Sequence, residues 1–320
     1  MGGPPTAVVL LTMGGADTLD AIRPFLRNLF SDRLIFPLGP APVQWLLARL
    51  IAWRRAPKVR LYYERIGGGS PLNATTRAQA RALEAALGER FRCFAAFRYW
   101  GQGAGRAVAD AKAAGARRVI ALPMYPQFCK ASTLSSLVDL RVAADAAGGV
   151  ELVEIDRFSD DAGYLTALTA PVVRMLSEFP PGARPHVIFS AHGVPESLPR
   201  GGDPYVAEVE ATARAVVARL PPETPWHLAY QSRVGPVKWV EPYTDVLLPR
   251  LAAEGVRAML MVPLTFVSDH VETLDEMDIR LRGMAETAGV SDFRRVPALN
   301  DDPAFIAALA DLVKRKVAET

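Results

Sequence analysis

Cysteine is scarce: Cys93 and Cys129 are the two thiols in 320 residues, and they show no C-x-x-C spacing. A zinc ribbon or an iron–sulfur cluster held by thiolates alone is therefore excluded, no permanently bound cofactor is expected, and both side chains should be reduced thiols. Long apolar runs are lacking too. No stretch reaches the roughly 18–20 consecutive apolar residues of a membrane span, and Ala7–Leu11 is too short for a signal-peptide core, which implies a cytoplasmic location. A formal charge of +3 without an isolated Lys/Arg block gives nucleic acid no footing. No segment is of low complexity, so the chain should fold throughout.

What is present is alternation. Short β-branched and aromatic runs are separated by Ala-rich stretches, the pattern of parallel sheets flanked by helices. Strands are read at Ala7–Leu11, Cys93–Arg98, Val119–Met124 and Glu151–Ile155, then at Val187–Ser190, His227–Tyr230, Ala258–Pro263 and Arg294–Pro297. Helices are read at Arg77–Leu87, Gly105–Ala114, Asp161–Glu178, Pro204–Leu220 and Pro242–Ala253. Two sets of four strands predict an α/β protein of two similar Rossmann-like lobes, each a four-stranded parallel sheet flanked by helices. The helix after Asp161 and the turn at Phe179-Pro-Pro-Gly connect them, placing the lobes at 1–160 and 161–320. A last helix, Pro303 to Val317, carries an apolar stripe at Phe305, Ile306, Leu309, Leu312 and Val313 that must pack on a core, the first lobe being one candidate.

Open parallel sheets bind ligands outside the carboxyl ends of their strands. Here those ends read Met13-Gly14-Gly15, Arg98-Tyr99-Trp100 and Tyr125-Pro126-Gln127 in the first half. In the second they read Ser190-Ala191-His192-Gly193, Gln231-Ser232-Arg233 and Ser268-Asp269-His270-Val271-Glu272. Gly101, Gly103 and Gly105 lack the dinucleotide-binding spacing, and Gly67-Gly68-Gly69-Ser70 lacks the lysine of a Walker motif. The latter reads as a tight turn able to hold an anion. Of the four histidines, His186 and His227 read as structural, whereas His192 and His270 stand at strand ends. Glu272 and Glu276, one helical turn apart, would offer hard oxygen ligands on one helix face, and imidazole with carboxylate suits a borderline cation such as Fe²⁺. The acidic run Asp269, Glu272 and Asp275 also fits the negative first turn of a helix.

Val43, Leu46, Leu47, Leu50 and Ile51 follow helical spacing beside Trp45 and Trp53. Such a stripe fits a buried core. With Pro37, Pro40 and Pro42 before it and Arg54, Arg55 and Lys58 after it, it equally fits an apolar lip in peripheral contact with a membrane, at its inner face.

Phe189-Ser190-Ala191-His192-Gly193-Val194-Pro195, Tyr230-Gln231-Ser232-Arg233-Val234-Gly235 and Phe266-Val267-Ser268-Asp269-His270-Val271-Glu272-Thr273-Leu274 resemble the signature blocks of ferrochelatases, enzymes that insert ferrous iron into a porphyrin. Leu10–Gly15, Ile66–Pro71, Tyr125–Gln127 and Asn300–Pro303 extend the resemblance over nearly the whole chain. It implies two Rossmann-like lobes with a porphyrin cleft between them and Fe²⁺ as a substrate. By matching motifs, His192 would contact the metal or accept pyrrole protons, and Glu272 would face it across the cleft. Asp269 and His270 would support that carboxylate, and Glu276 would continue an acidic track. Met13, Arg98, Tyr99 and Tyr125 would line the porphyrin, with Arg54, Arg55 and Ser70 holding propionates.

The chemistry requires removal of two pyrrole protons, for which a neutral imidazole near pKa ~6.5 is suited. Arg280 departs from the resemblance, standing where related proteins often carry another acid. The family divides between protoporphyrin IX and coproporphyrin III, and Met13 matches a position where users of coproporphyrin commonly carry Tyr, so protoporphyrin IX is expected. A chelatase for another metal and a non-enzymatic haem or porphyrin carrier are the alternatives; a carrier would not need Glu272 and Glu276 together.

Overall fold

A computed structural model describes residues 4–319. The strands are β1 Thr6–Thr12, β2 Phe91–Phe97, β3 Arg118–Pro123, β4 Glu151–Glu154, β5 His186–His192, β6 Trp226–Gln231, β7 Ala258–Pro263 and β8 Asp292–Arg295. They form two four-stranded sheets with the same pattern, β2-β1-β3-β4 and β6-β5-β7-β8, and every pairing within them is parallel. The predicted α/β architecture of two similar lobes is the one found. β8 begins at Asp292, two residues before the predicted start, because Asp292 and Phe293 pair with Ala258 and Met259.

The composition of the central strands explains the layering. Val8, Val9 and Leu10 of β1 are wholly buried, as are Val187, Ile188 and Phe189 of β5. A strand covered on both faces needs a continuous apolar run and not an alternating one. In the first sheet Ala104, Ala107, Val108 and Ala111 of the helix Ala104–Ala113 share one core with Ala7, Val9 and Leu11 of β1, Ala96 of β2 and Val119 and Ala121 of β3. In the second, Leu247, Leu248 and Leu251 join Met259, Met261, Met277 and Phe293 in one core. The helix Ala162–Ser177 starts where the sequence suggested, with Asp161 Oδ1 accepting from the Tyr164 amide at 2.9 Å.

One compact unit spans Ser159–Leu299. The other combines the chain up to Phe158 with the segment from Asn300 onward, so the closing helix Pro303–Glu319 is grouped with the first sheet and not with residues 161–299. Phe305 is fully buried there, 6.5 Å from the Phe158 ring, and the Gln79 amide donates to the Asn300 carbonyl at 2.7 Å.

The Gly-rich motifs of the first unit lock onto each other. Gly14 has φ +75°, and Gly15 lies so close to Ser70 that a Cβ would sit 2.7 Å from Oγ. Asn73 grips the Gly15 backbone from both sides, at 3.0 and 2.9 Å, and the Ser70 amide donates to the Ala16 carbonyl at 2.8 Å.

The helix Ala41–Arg65 overturns its reading as a core stripe. It buries Gln44, Ala48 and Ala52, one seam at i, i+4, i+8, while Trp45, Leu46, Leu50 and Trp53 are exposed. Gln44 fixes the preceding loop by donating to the Phe30 and Phe36 carbonyls at 2.6 and 2.8 Å. No helix among the described residues is long and apolar enough to cross a membrane.

Truncating the closing helix at its largest fully buried side chain, Phe305→Ala, is expected to cost about 3–5 kcal/mol. Denaturant melts followed by circular dichroism measure this; a loss below about 1 kcal/mol would show that the helix is not part of a core.

Candidate active site

In the second unit β5 is central, and the order β6-β5-β7-β8 reverses direction between β5 and β7. His192 ends β5 at that switch point, where ligands bind in open α/β sheets. Its amide donates to Thr265 Oγ1 at 3.1 Å, and its carbonyl accepts from the Tyr205 hydroxyl at 2.9 Å. Phe266 and Trp239 flank the ring, both with centroids 6.4 Å away.

Both imidazole nitrogens face acceptors. Nδ1 lies 2.5 Å from the Gly193 carbonyl, and Nε2 lies 3.4 Å from Glu272 Oε1. Only an imidazolium can donate in both directions. Burial by itself would push the ring toward its neutral form, but the Glu272 carboxylate outweighs it, and the pKa is raised above the ordinary 6.5. Burial likewise would raise Glu272, yet the His192 charge prevails and holds it below the ordinary carboxylate range. Both shifts run in the direction that favours the charged pair, His192⁺–Glu272⁻. Glu272 touches His192 directly, and both lie in the second unit.

His270 lies against Glu272, with Nε2 3.3 Å from Oε2 and Nδ1 on the Ser268 carbonyl at 3.0 Å. Asp269 Oδ1 accepts from Thr273 Oγ1 at 2.9 Å and from Arg295 at 3.0 Å, contacts that tie it to the start of the helix.

That helix, Glu272–Leu281, is a π-helix, ten residues long. Its i→i+5 spacing explains why Arg280 reaches Asp275, five residues back, at 2.9 Å; Asp275 is fully buried. π-helical turns are rare and gather at functional sites. Arg295, 9% exposed, holds this one in place by gripping Asp278 at 2.8 and 2.7 Å and Asp269 at 3.0 Å. Burial alone would lower the Arg295 pKa, but these carboxylates raise it. Met277, fully buried, pins the same helix to the core.

Glu276 stands beside Glu272, 12% exposed. Burial first, then the Glu272 charge, raise its pKa. It accepts from Ser232 Oγ at 2.5 Å and from the Ser232 amide at 3.2 Å, and Arg280 lies 3.4 Å away. Arg280 therefore ends the acidic track instead of extending it. Among the described residues no group of three or more His, Cys, Asp and Glu side chains forms a ready-made metal cage. His186 and His227 pair with each other at 3.0 Å, at the opposite ends of β5 and β6.

In the first unit, Met13, half-buried, follows β1, and Tyr125 follows β3. Three of the residues expected at a porphyrin direct their polar groups inward. The Tyr99 hydroxyl, on a side chain 4% exposed, donates to Asp32 at 2.8 Å. Arg98 reaches Asp32 and Asp139, each at 3.0 Å, and Ser70 Oγ accepts from the Leu72 amide at 3.3 Å. Asp32, which sequence reasoning missed, is the hub: it also accepts from Ser135 at 2.6 Å and from the Leu34 amide at 2.8 Å. Burial would raise its pKa, but these donors lower it. Arg54 is exposed, and Arg55 sits over the Phe30 ring at 5.5 Å.

The ferrochelatase family model matches residues 5–317. A ferrochelatase of Geotalea daltonii is 51% identical over 97% of both chains, and one of Geobacter metallireducens is 49% identical over 97% of this chain and 98% of its own. Among solved structures, SirB from Bacillus subtilis with Fe³⁺ superposes with TM-score 0.61 at 10% identity, covering 98% of this chain and 96% of its own. CbiX, described as the terminal enzyme for biosynthesis of siroheme in denitrifying bacteria, superposes with TM-score 0.51 at 14% identity over 97% and 98%. These structural likenesses carry the fold alone.

The charge state is open to test in the metal-free protein. A group whose pKa is raised keeps its proton above the ordinary value and loses it as pH climbs through the folded value. An NMR titration of the imidazole signals should find His192 still charged at pH 7, and Glu272→Gln should move its midpoint to or below the ordinary 6.5, because burial then acts with much less opposition. A wild-type midpoint below 6.5 would contradict the ion pair.

Proposed function

The chain belongs to the ferrochelatase family, and from that membership we propose that it inserts Fe²⁺ into protoporphyrin IX, with Glu272 and Glu276 passing the metal and His192 taking a ring proton. As a member it is a metal chelatase, a lyase. The observation that carries the assignment of roles is the 3.4 Å contact between His192 and Glu272, with Glu276 alongside on the π-helix.

The reaction exchanges charge: a divalent cation enters the macrocycle and two pyrrole protons leave. The resting ion pair couples these events. A cation engaging Glu272 competes with the imidazolium for the same carboxylate, which removes the cause of the raised His192 pKa. His192 then releases its proton and becomes able to accept one from a pyrrole nitrogen. Glu276, whose pKa is raised, suits the second proton or a brief oxygen contact with the metal. Oxygen donors that do not close into a cage favour release of the cation to four ring nitrogens. For the porphyrin, Met13 offers a soft apolar face where a phenol would suit coproporphyrin, and Arg54 and Arg55 are the side chains left to meet it, the Tyr125 hydroxyl being buried.

Anaerobic initial rates should show His192→Ala abolishing insertion and Glu272→Gln lowering kcat strongly, both still quenching porphyrin fluorescence on binding. Effects confined to the porphyrin KM would contradict these roles. With wild type, kcat/KM should favour protoporphyrin IX over coproporphyrin III; a tenfold preference the other way, about 1.4 kcal/mol, would refute the substrate.

The exposed face of Ala41–Arg65 supports peripheral contact with an anionic membrane. Between Asp32 and Glu64 there is no acidic residue, whereas Arg33, Arg49, Arg54, Arg55, Lys58 and Arg60 are all basic. Trp45 and Trp53 are 56% and 58% exposed, and the Arg49 guanidinium covers the Trp45 ring at 3.5 Å. Apolar area plus basic charge is the combination that holds a helix at a lipid interface. Co-sedimentation with vesicles containing phosphatidylglycerol should weaken in Trp45→Ala/Trp53→Ala and with added salt; no binding by wild type at low salt would dismiss this contact.

A further inference from the structure

The second signature block, Tyr230-Gln231-Ser232, has no role in the mechanism above, yet Gln231 is 4% exposed and touches that machinery from behind. It ends β6 directly opposite His192 in the strand register. Its amide has one set of partners on each side. Oε1 accepts from Ser190 Oγ at 2.6 Å, and Ser190 is itself fully buried, 3.4 Å from Thr244 Oγ1. Nε2 donates to the Glu272 carbonyl at 3.0 Å and to Glu276 Oε2 at 3.2 Å.

The orientation of that amide is dictated by chemistry. A carbonyl and a carboxylate can only accept, so the group facing them must be the NH₂ and the oxygen must face Ser190. One amide thus joins the first backbone carbonyl of the π-helix to the carboxylate borne one turn later. Ser232 completes the cradle by donating its hydroxyl and its amide to Glu276, and it does so at φ +67°, a region that non-glycine residues occupy at an energetic cost. Backbone strain beside a site is retained where a group must be aimed.

We propose that Gln231 is a positioning residue for metal insertion, fixing Glu276 relative to the start of the π-helix and so setting the path the cation takes between Glu276 and Glu272. The inference rests on the roles given to His192 and Glu272 above. No other side chain of this size offers two donors to the helix and one acceptor to Ser190. A carboxylate at 231 would oppose both the Glu272 carbonyl and Glu276, and an apolar chain would remove one hydrogen bond from each of the three partners.

The test uses the intact enzyme with Gln231→Glu, which keeps the shape, Gln231→Met, and Ser190→Ala, which frees the amide to turn. Anaerobic assays with varied Fe²⁺ and varied protoporphyrin separate the two KM values, with Glu272→Gln as reference. Gln231→Glu should lower kcat/KM for Fe²⁺ at least tenfold while the porphyrin KM stays within twofold, and Ser190→Ala should fall between it and wild type. Gln231→Glu with metal kinetics within twofold of wild type, beside an inactive Glu272→Gln, would overturn the inference and leave the site assignment standing. An active Glu272→Gln would instead bring down the assignment itself. Should the Gln231 variants fail to fold, Ser190→Ala decides: lowered thermal stability with unchanged Fe²⁺ kinetics makes the contact merely structural and refutes the proposal.

Discussion

The register of β5 between β6 and β7 governs the candidate site. It sets His192 opposite Gln231 and runs the loop after β7 back under β5, where Leu264 donates to the Ser190 carbonyl. Parallel strands end on one edge, so three loops that are distant in sequence deliver an imidazole, an amide and a π-helix to one place. Side chains alternate between faces, and a slip of one residue would turn His192 away from Glu272. The apolar runs of β5 and β7, buried on both faces, hold that register against slippage.

Charge is arranged around the π-helix in two ways. Arg295 meets two carboxylates that need compensation, a buried cation whose value lies in geometry more than in net stability. The His192–Glu272 pair is instead partly open, with side chains 38% and 27% exposed, and it remains accessible to an arriving cation. One ion pair holds the scaffold, and the other is the one that the proposed mechanism exchanges.

Strand positions were legible in the sequence because a central parallel strand writes its burial as a local apolar run. The polar residues at strand ends were legible for the same reason, and His192, His270, Glu272 and Glu276 do gather around one site. The π-helix was not legible: Glu272 and Glu276 are spaced as an α-helix would space them, and the i→i+5 pattern belongs to the backbone, with the Arg280–Asp275 contact as its side-chain counterpart. Asp32, Gln231 and the inward turn of Tyr99 escaped because their partners lie far along the chain. The stripe of Ala41–Arg65 misled in the other direction. Its larger apolar residues face outward, and the buried seam consists of two alanines and a glutamine.

The discontinuity of the first unit imposes an order on synthesis. Residues 159–299 are contiguous and hold every group that forms its core, whereas the sheet β2-β1-β3-β4 lacks the Phe305 side chain until the segment after Asn300 has left the ribosome. The half of the chain made first is thus the half finished last. While it waits, the core that Phe305 covers is incompletely buried on the nascent polypeptide.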